Sequence, residues 1–275
     1  MLIIVQVGSF VNPRVPAAFY RVMAVTHQIW DLVFDALSPA VPDTVVANSC
    51  GMVYCVGSAI NSESHPEGGD VSGRHSWGNG AGPSVGGLGA RATIDGLNGM
   101  PGWIPNVAST SIESSEVEAP VRYLRKELRS GSAGPGRQRG GLGVILSWQA
   151  LGQDVKFSHT SQRSANPPQG IFGGGEGAGS RWVINEGLDG EHVVAQQAGP
   201  TLDLQFGDTV TFYSAGGGGY GAPWEREPAL VARDCQLGYV DALAAHRDYG
   251  VELDDENRVD EVRTSILRTA ERSAG

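Results

Sequence analysis

From Pro16 to Leu37 the apolar residues Phe19, Val22, Met23, Ile29, Trp30, Val33, Phe34 and Leu37 recur at helical spacing, with Arg21, Gln28, Asp31 and Asp35 on the other side. The spacing predicts a long N-terminal helix whose apolar side is core. Pro16 suits its first turn and Ser38-Pro39 ends it. Between Cys50 and Gly102 the periodicity breaks up. Glu67-Gly68-Gly69-Asp70 and Gly78-Asn79-Gly80 are turn signals there, and the stretch reads as a long functional or partly disordered loop. A second helix is expected over Glu116–Arg129, with Pro120 in its first turn. From Gly143 onward the chain reads as strands: Val144–Trp148, Val155–His159, Arg181–Ile184, His192–Gln196 and Thr209–Tyr213. Their close spacing favours antiparallel pairing, because parallel crossovers need a dozen or more residues. Val240–Tyr249 and Val259–Arg272 return to helical spacing. The expected class is α+β: a β-rich antiparallel core, a long N-terminal helix and a helical C-terminal tail, with a sub-boundary near residue 130.

Composition sharpens this picture at one point. The chain holds 40 glycines in 275 residues, well above a usual share of about 7%, so short strands and shaped loops should dominate. The net charge of -10 and the lack of any Lys/Arg run argue against nucleic acid or an anionic membrane as partner. Three cysteines without a C-x-x-C give neither a disulfide framework nor a zinc knuckle. The apolar start Met1–Val5 is too short for a signal or a membrane span, which gives a cytoplasmic reading.

Three glycine clusters stand out: Gly131–Gly143, Gly173–Gly179 and Gly216–Gly221. None is a G-x-x-x-x-G-K-[ST] loop, and the only lysines are Lys126 and Lys156. Gly216–Gly221 satisfies G-x-G-x-x-G after a strand, but Ala222-Pro223-Trp224 follows where a helix should start. The clusters read as tight turns and as close backbone approach to a partner or substrate. Arg137 and Arg139 within the first suit a carboxylate, carbonate or phosphate, or else a structural ion pair. The six histidines have no metal-ligand spacing, and His65 and His75, which share an acidic loop, read as solvated, so no metal site is assigned. Glu113, Glu116 and Glu118 precede Pro120 and read as an acid/base pair or as helix N-terminal charges.

The order of several segments carries a resemblance. Gly8-Ser-Phe-Val-Asn-Pro-Arg-Val-Pro-Ala-Ala18 precedes Thr26-His-Gln-Ile-Trp-Asp31; Gly86-Gly-Leu-Gly-Ala90, Asp95-Gly96, Asn106, Glu113-Ser-Ser-Glu116 and Pro120 follow. Next come Gly131–Gly143, Gln162-Arg163 with Pro167-Pro-Gln-Gly-Ile-Phe-Gly-Gly174, and Gly216-Gly-Gly-Gly-Tyr-Gly-Ala-Pro-Trp-Glu-Arg-Glu-Pro228. In this order the segments resemble the C-terminal half of the hydantoinase B/oxoprolinase family over nearly all of residues 1–275. That resemblance implies an enzyme complex in which a hydantoinase A-type subunit uses ATP and Mg to activate an amide, enol or bicarbonate oxygen. Either a partner chain would supply the N-terminal half of the B-type subunit and any divalent metal, or the metal chemistry is lost, and no biotin is used. Asp95-Gly-Leu-Asn98 with Trp103 and Pro105 is similar to the ketone carboxylase branch, whereas many hydrolytic members carry histidines there. The implied function is a subunit of an acetone/acetophenone carboxylase-type complex. The alternatives are a cyclic amide hydrolase subunit and a non-catalytic scaffold. Asp95, Glu113 and Glu116 are the implied catalytic groups; Asn106, Arg137, Arg139, Arg163 and Tyr220 are the implied contacts to a small-molecule substrate.

Overall fold

The computed structural model describes residues 7–8, 12–16, 22–51, 53–60, 74–78, 85–101, 111–194 and 201–274. Helix α1 (Val22–Leu37) is followed by β1 (Val53–Ile60), β2 (Arg74–Gly78), β3 (Val85–Gly86) and β4 (Met100–Pro101). Helix α2 (Ile112–Glu118) and β5 (Val121–Leu128) lead into β6 (Val144–Ala150), β7 (Gln153–Ser161), β8 (Arg181–Ile184), β9 (His192–Val194), β10 (Leu202–Leu204) and β11 (Thr209–Tyr213). Helices α3 (Pro228–Gln236), α4 (Ala242–Tyr249) and α5 (Glu261–Ala274) complete the chain. The class is α+β with antiparallel sheets. No helix among the described residues is long and apolar enough to cross a membrane.

One sheet runs β10-β7-β1-β2 and a second runs β5-β6-β11-β8-β9. Period-two alternation on β6 and β11 turns Leu146, Trp148, Val210 and Phe212 to one side, where they meet Val155 and Phe157 of β7 and Leu204 of β10. An aromatic chain ties the sheets together: Phe157 lies 5.2 Å from Trp148 and 5.5 Å from Trp182, and Trp182 lies 4.2 Å from Phe212. A separate apolar cluster of Val231, Cys235, Val240, Ala245, Tyr249 and Val251 joins α3 to α4.

Two regions depart from the sequence expectation. The helix expected over Glu116–Arg129 is α2, ending at Glu118, followed by strand β5. Ser111 caps α2 by accepting from the Ser114 N–H at 3.1 Å, and Pro120 cannot continue the helix. The good helix formers of Arg122–Leu128 instead pair along β6, with a register shift between Tyr123 and Arg125. Lys, Arg and a bulge are common on an edge strand. The stretch Cys50–Gly102 is not loop throughout either, since β1 pairs with both β7 and β2; Gly57 interrupts the alternation that would have revealed β1. Phe19, Arg21, His65, the Glu67–Asp70 turn and Asn106 lie outside the described residues.

The third element of the fold is neither helix nor sheet. After β11 the segment Ser214–Gly221 is buried throughout and runs through the middle of other extended segments. Gly216 donates to the Ala178 carbonyl at 3.0 Å and Gly219 to Gly175 at 3.0 Å; Gly217 donates to Gly141 at 2.9 Å and Tyr220 to Gln138 at 2.9 Å. Residues three apart thus share a neighbour, and Gly218 turns to Asn48. That is the period of a polyproline-II-like chain, not the period of two of a strand. With neighbours on all sides, no position from Gly216 to Gly219 has room for a side chain. A Cβ on Gly217 would sit 2.0 Å from the Leu88 carbonyl oxygen, and one on Gly219 2.0 Å from that of Pro135. Within the three clusters Gly131 and Gly173 serve turns at positive φ, as expected, while most of the other glycines pack against the chain's own backbone. Every N–H from Gly216 to Gly221 is donated to a carbonyl of the bundle, so the G-x-G-x-x-G run has no amide to offer a phosphate.

Because the obstructing atoms at Gly217 are backbone, Gly217→Ala should lower stability by about 3 kcal/mol or more. Urea denaturation of the two proteins measures this, and a loss below roughly 1 kcal/mol would refute the packing argument.

Candidate functional site

The glycine bundle carries two clusters of charged side chains on its flanks. The first is built on Arg226, which follows the turn at Pro223–Glu225 and is 1% exposed. Its Nη1 and Nη2 donate to the two carboxylate oxygens of Asp95 at 2.8 and 2.7 Å, and Nη2 also reaches Asp234 of α3 at 2.8 Å. Arg139 donates its backbone N–H to Asp95 at 2.8 Å and its Nε to Asp234 at 3.3 Å, while its guanidinium lies over the Tyr239 ring. Two guanidinium groups and two carboxylates balance in charge. Burial opposes the charge on Asp95, but the hydrogen bonds and charge of Arg226, with the Arg139 N–H, hold its carboxyl below the usual range. Burial also opposes the charge on Arg226, and pairing with Asp95 and Asp234 raises its pKa overall. Asp95 is thus kept ionised and engaged on both oxygens, a state suited to positioning its neighbours.

What the cluster positions is Arg137. Arg226 Nη1 donates to the Arg137 carbonyl at 3.1 Å and fixes its backbone from below. The Arg137 side chain is 44% exposed. It lies 5.9 Å from the Tyr220 ring centroid, donates to the Ala92 carbonyl at 3.3 Å and stands 3.7 Å from Glu225 at the rim. Tyr220 is buried, donates its hydroxyl to the Pro42 carbonyl at 3.0 Å and packs 5.1 Å from the half-exposed ring of Phe172. Phe172 takes φ 52, a left-handed conformation that is strained for a bulky residue. Arg137, Tyr220 and Phe172 form a shelf with one accessible cation, able to take a carboxylate or phosphate.

The second cluster lies against α1. Arg163, held at φ 67, donates its Nε to the Ser49 carbonyl at 3.1 Å and pairs through Nη2 with Asp31. Asn48 donates to both oxygens of Asp35, at 3.1 and 3.3 Å. This departs from the expected orientation of α1: Asp31 is 4% exposed and His27 1%, and Ile29 and Trp30 are 39% and 46% exposed, while Gln28 and Asp35 stay outward as expected. Burial pushes Asp31 up to about 6 against the pull of Arg163. Burial and the Arg163 charge bring His27 down to about 4, and neither of its ring nitrogens has a hydrogen-bond partner among the described residues. Burial, with the charge of Asp31, pushes the Cys50 thiol up to about 12, so it is inert near neutrality.

The structure therefore brings Asp95, Arg137, Arg139 and Tyr220 together and places Arg163 in the separate α1 cluster. Glu113 and Glu116 belong to the α2–β5 corner. Glu113 is held below the usual range by hydrogen bonds from its own backbone N–H and the Ser111 hydroxyl, and Glu116 accepts from the Tyr123 N–H at 2.7 Å. No group of three or more His, Cys, Asp or Glu among the described residues is placed to hold a metal ion. Sequence reasoning missed Arg226, Asp234 and the inward face of α1. The available signal was Glu225-Arg-Glu227, a charged run a few residues after the glycine run.

The chain is thus an α+β protein of antiparallel sheets with a glycine bundle, and an arginine shelf held by Arg226, Asp95 and Asp234. The chain belongs to the hydantoinase B/oxoprolinase family, whose model matches residues 1–223. It is 33% identical to an uncharacterized protein of Methanocaldococcus jannaschii, over 97% of this chain and 45% of that protein. It is 30% identical to the acetophenone carboxylase delta subunit of Aromatoleum aromaticum, over 68% of this chain and 32% of that subunit. Its fold is similar to that in the crystal structure of the ATP-dependent caprolactamase of Pseudomonas jessenii, with a TM-score of 0.77 at 24% identity, over 94% of this chain and 44% of that one. The chain spans less than half the length of these relatives.

Two measurements test the clusters. Asp234→Ala leaves Arg226 and Arg139 short of a buried counter-charge and should cost about 3–5 kcal/mol in urea unfolding. Against pH the α1 cluster should show opposed slopes. The depressed His27 pKa gives stability that is present above about 6.5 and lost as pH falls towards 4. The raised Asp31 pKa gives stability that is present below about 4 and lost as pH rises through 6. Relative to wild type, His27→Phe should gain stability on acidification from pH 6.5 to 4, and Asp31→Asn should lose it. Parallel curves for the three proteins would refute the assignment.

Proposed function

We propose that this chain is one component of an ATP-dependent, multi-subunit enzyme of the ketone carboxylase type, in which the Arg137 shelf holds a carboxylate or phosphorylated intermediate. The observation that carries the reading is the exposed Arg137 guanidinium on a backbone clamped by Arg226 and Asp95, in a chain of the hydantoinase B/oxoprolinase family. The sequence likeness to an acetophenone carboxylase subunit supports the carboxylase branch. Arg139 acts beneath the shelf and Tyr220 forms its floor. Glu113 and Glu116, at the α2–β5 corner, are the acid/base groups of this reading and Asn106 a further substrate contact, while Arg163 is committed to Asp31 and Ser49 and holds α1. ATP and Mg belong to a hydantoinase A-type partner in the cytoplasm, a divalent metal to another partner chain, and biotin has no part.

A second reading is a subunit of a cyclic amide hydrolase, and the fold likeness to a caprolactamase favours it. The two separate on which substrate stimulates ATP hydrolysis by the assembled complex. A ketone with bicarbonate is expected here, while stimulation by a lactam or hydantoin ring alone would replace the carboxylase reading.

Arg137→Ala should leave the complex assembled and lower its turnover roughly 10- to 100-fold, as for loss of one hydrogen bond to a charged group. Steady-state kinetics of the purified complex measures this, and unchanged turnover would remove Arg137 from the site.

A further inference from the structure

Among its described side chains, helix α1 turns Ile29, Leu32 and Ala36 to solvent, and the structure holds them there. His27 and Asp31 are one turn apart and face inward. On the opposite side Ile29 is 39% and Leu32 66% exposed, and at the margin Trp30 packs 6.0 Å from Phe34. A free helix would roll to bury such a face. The Asp31–Arg163 pair and the Asn48–Asp35 hydrogen bonds fix the roll on the polar side, so the apolar face stays outward. Exposed apolar surface held in this way marks an interface.

We infer that the outward face of α1, centred on Ile29 and Leu32 with Trp30 at its edge, is where the complementary half of the hydantoinase B-type fold docks. This rests on the reading of the chain as a component of a larger enzyme. Relatives matched over 94–97% of this chain are themselves covered to only 44–45%. More than half of what they contain therefore lies outside the shared portion and needs a contact surface on it. Ile29, Leu32, Val33 and Ala36 carry no charge, as the centre of a permanent protein interface requires. A second copy is the poorer occupant, because two chains of net charge -10 repel each other.

The test uses the full chain tagged in its native host. Wild type should co-purify, in stoichiometric amount, a polypeptide that matches the remaining part of the hydantoinase B-type relatives. The double variant Trp30→Glu/Leu32→Glu, which leaves His27, Asp31 and Arg163 in place, should bind that polypeptide at least about tenfold more weakly, with its own melting temperature unchanged. Wild-type affinity in the double variant would overturn the α1 assignment and leave the functional reading standing. A wild-type chain that elutes alone, or paired only with itself, overturns both. Should the double variant fail to fold, a photo-crosslinking side chain at position 32 reads the same contact: an adduct to that polypeptide supports the inference, and adducts only to a second copy refute it.

Discussion

Backbone packed directly against backbone is the constraint on which the rest of this molecule depends. Ser214–Gly221 is surrounded by segments that approach to hydrogen-bonding distance on every side, and Gly216–Gly219 are glycine because a Cβ would meet carbonyl groups about 2 Å away. Along Gly216–Gly219 there are no side chains to repack, so the geometry there is fixed by hydrogen-bond lengths. The segments carrying Asp95, Arg137 and Arg139 are walls of this bundle. Their rigidity is what allows a single exposed guanidinium to be held in place, a condition for any site that recognises a planar anion.

The side chains that matter most act where the bundle meets other elements. Arg226 ties α3 to the bundle through Asp234 and Asp95, and Arg163 ties α1 to it through Asp31. Arg226 is buried and Arg163 nearly so, and each is paired with a carboxylate more than a hundred residues away, Asp95 and Asp31. Arg268 of α5 adds a third tie, donating to the carbonyls of Arg226 and Tyr249. Burying such groups is costly unless every partner is present, so these contacts specify where the helices sit more than how strongly they bind.

Much of this was legible in the sequence, for local reasons. Arg181–Ile184 and Thr209–Tyr213 are short β-branched or aromatic runs closed by turn residues, and they are strands with those bounds. β5 was hidden because an edge strand in a charged sequence has the composition of a helix. The roll of α1 was misread in part, because periodicity locates an apolar stripe and not the polar contacts that hold a helix down; Arg163, more than a hundred residues away, turns Asp31 inward. Arg137 and Arg139 stood out because they stand among glycines, and Asp95 through the family resemblance. Arg226 and Asp234 were not, because a buried ion pair is a property of tertiary contact and leaves no spacing behind.

The glycine bundle also bears on how stability depends on temperature. Unfolding an ordinary core exposes apolar side chains, which raises the heat capacity and curves the stability profile. Opening this bundle exposes mainly peptide groups, and polar surface lowers the heat capacity by about 0.26 cal/K/mol per Å². The bundle therefore offsets part of the heat-capacity increase set by the two sheets, which flattens the profile and moves cold denaturation to lower temperature.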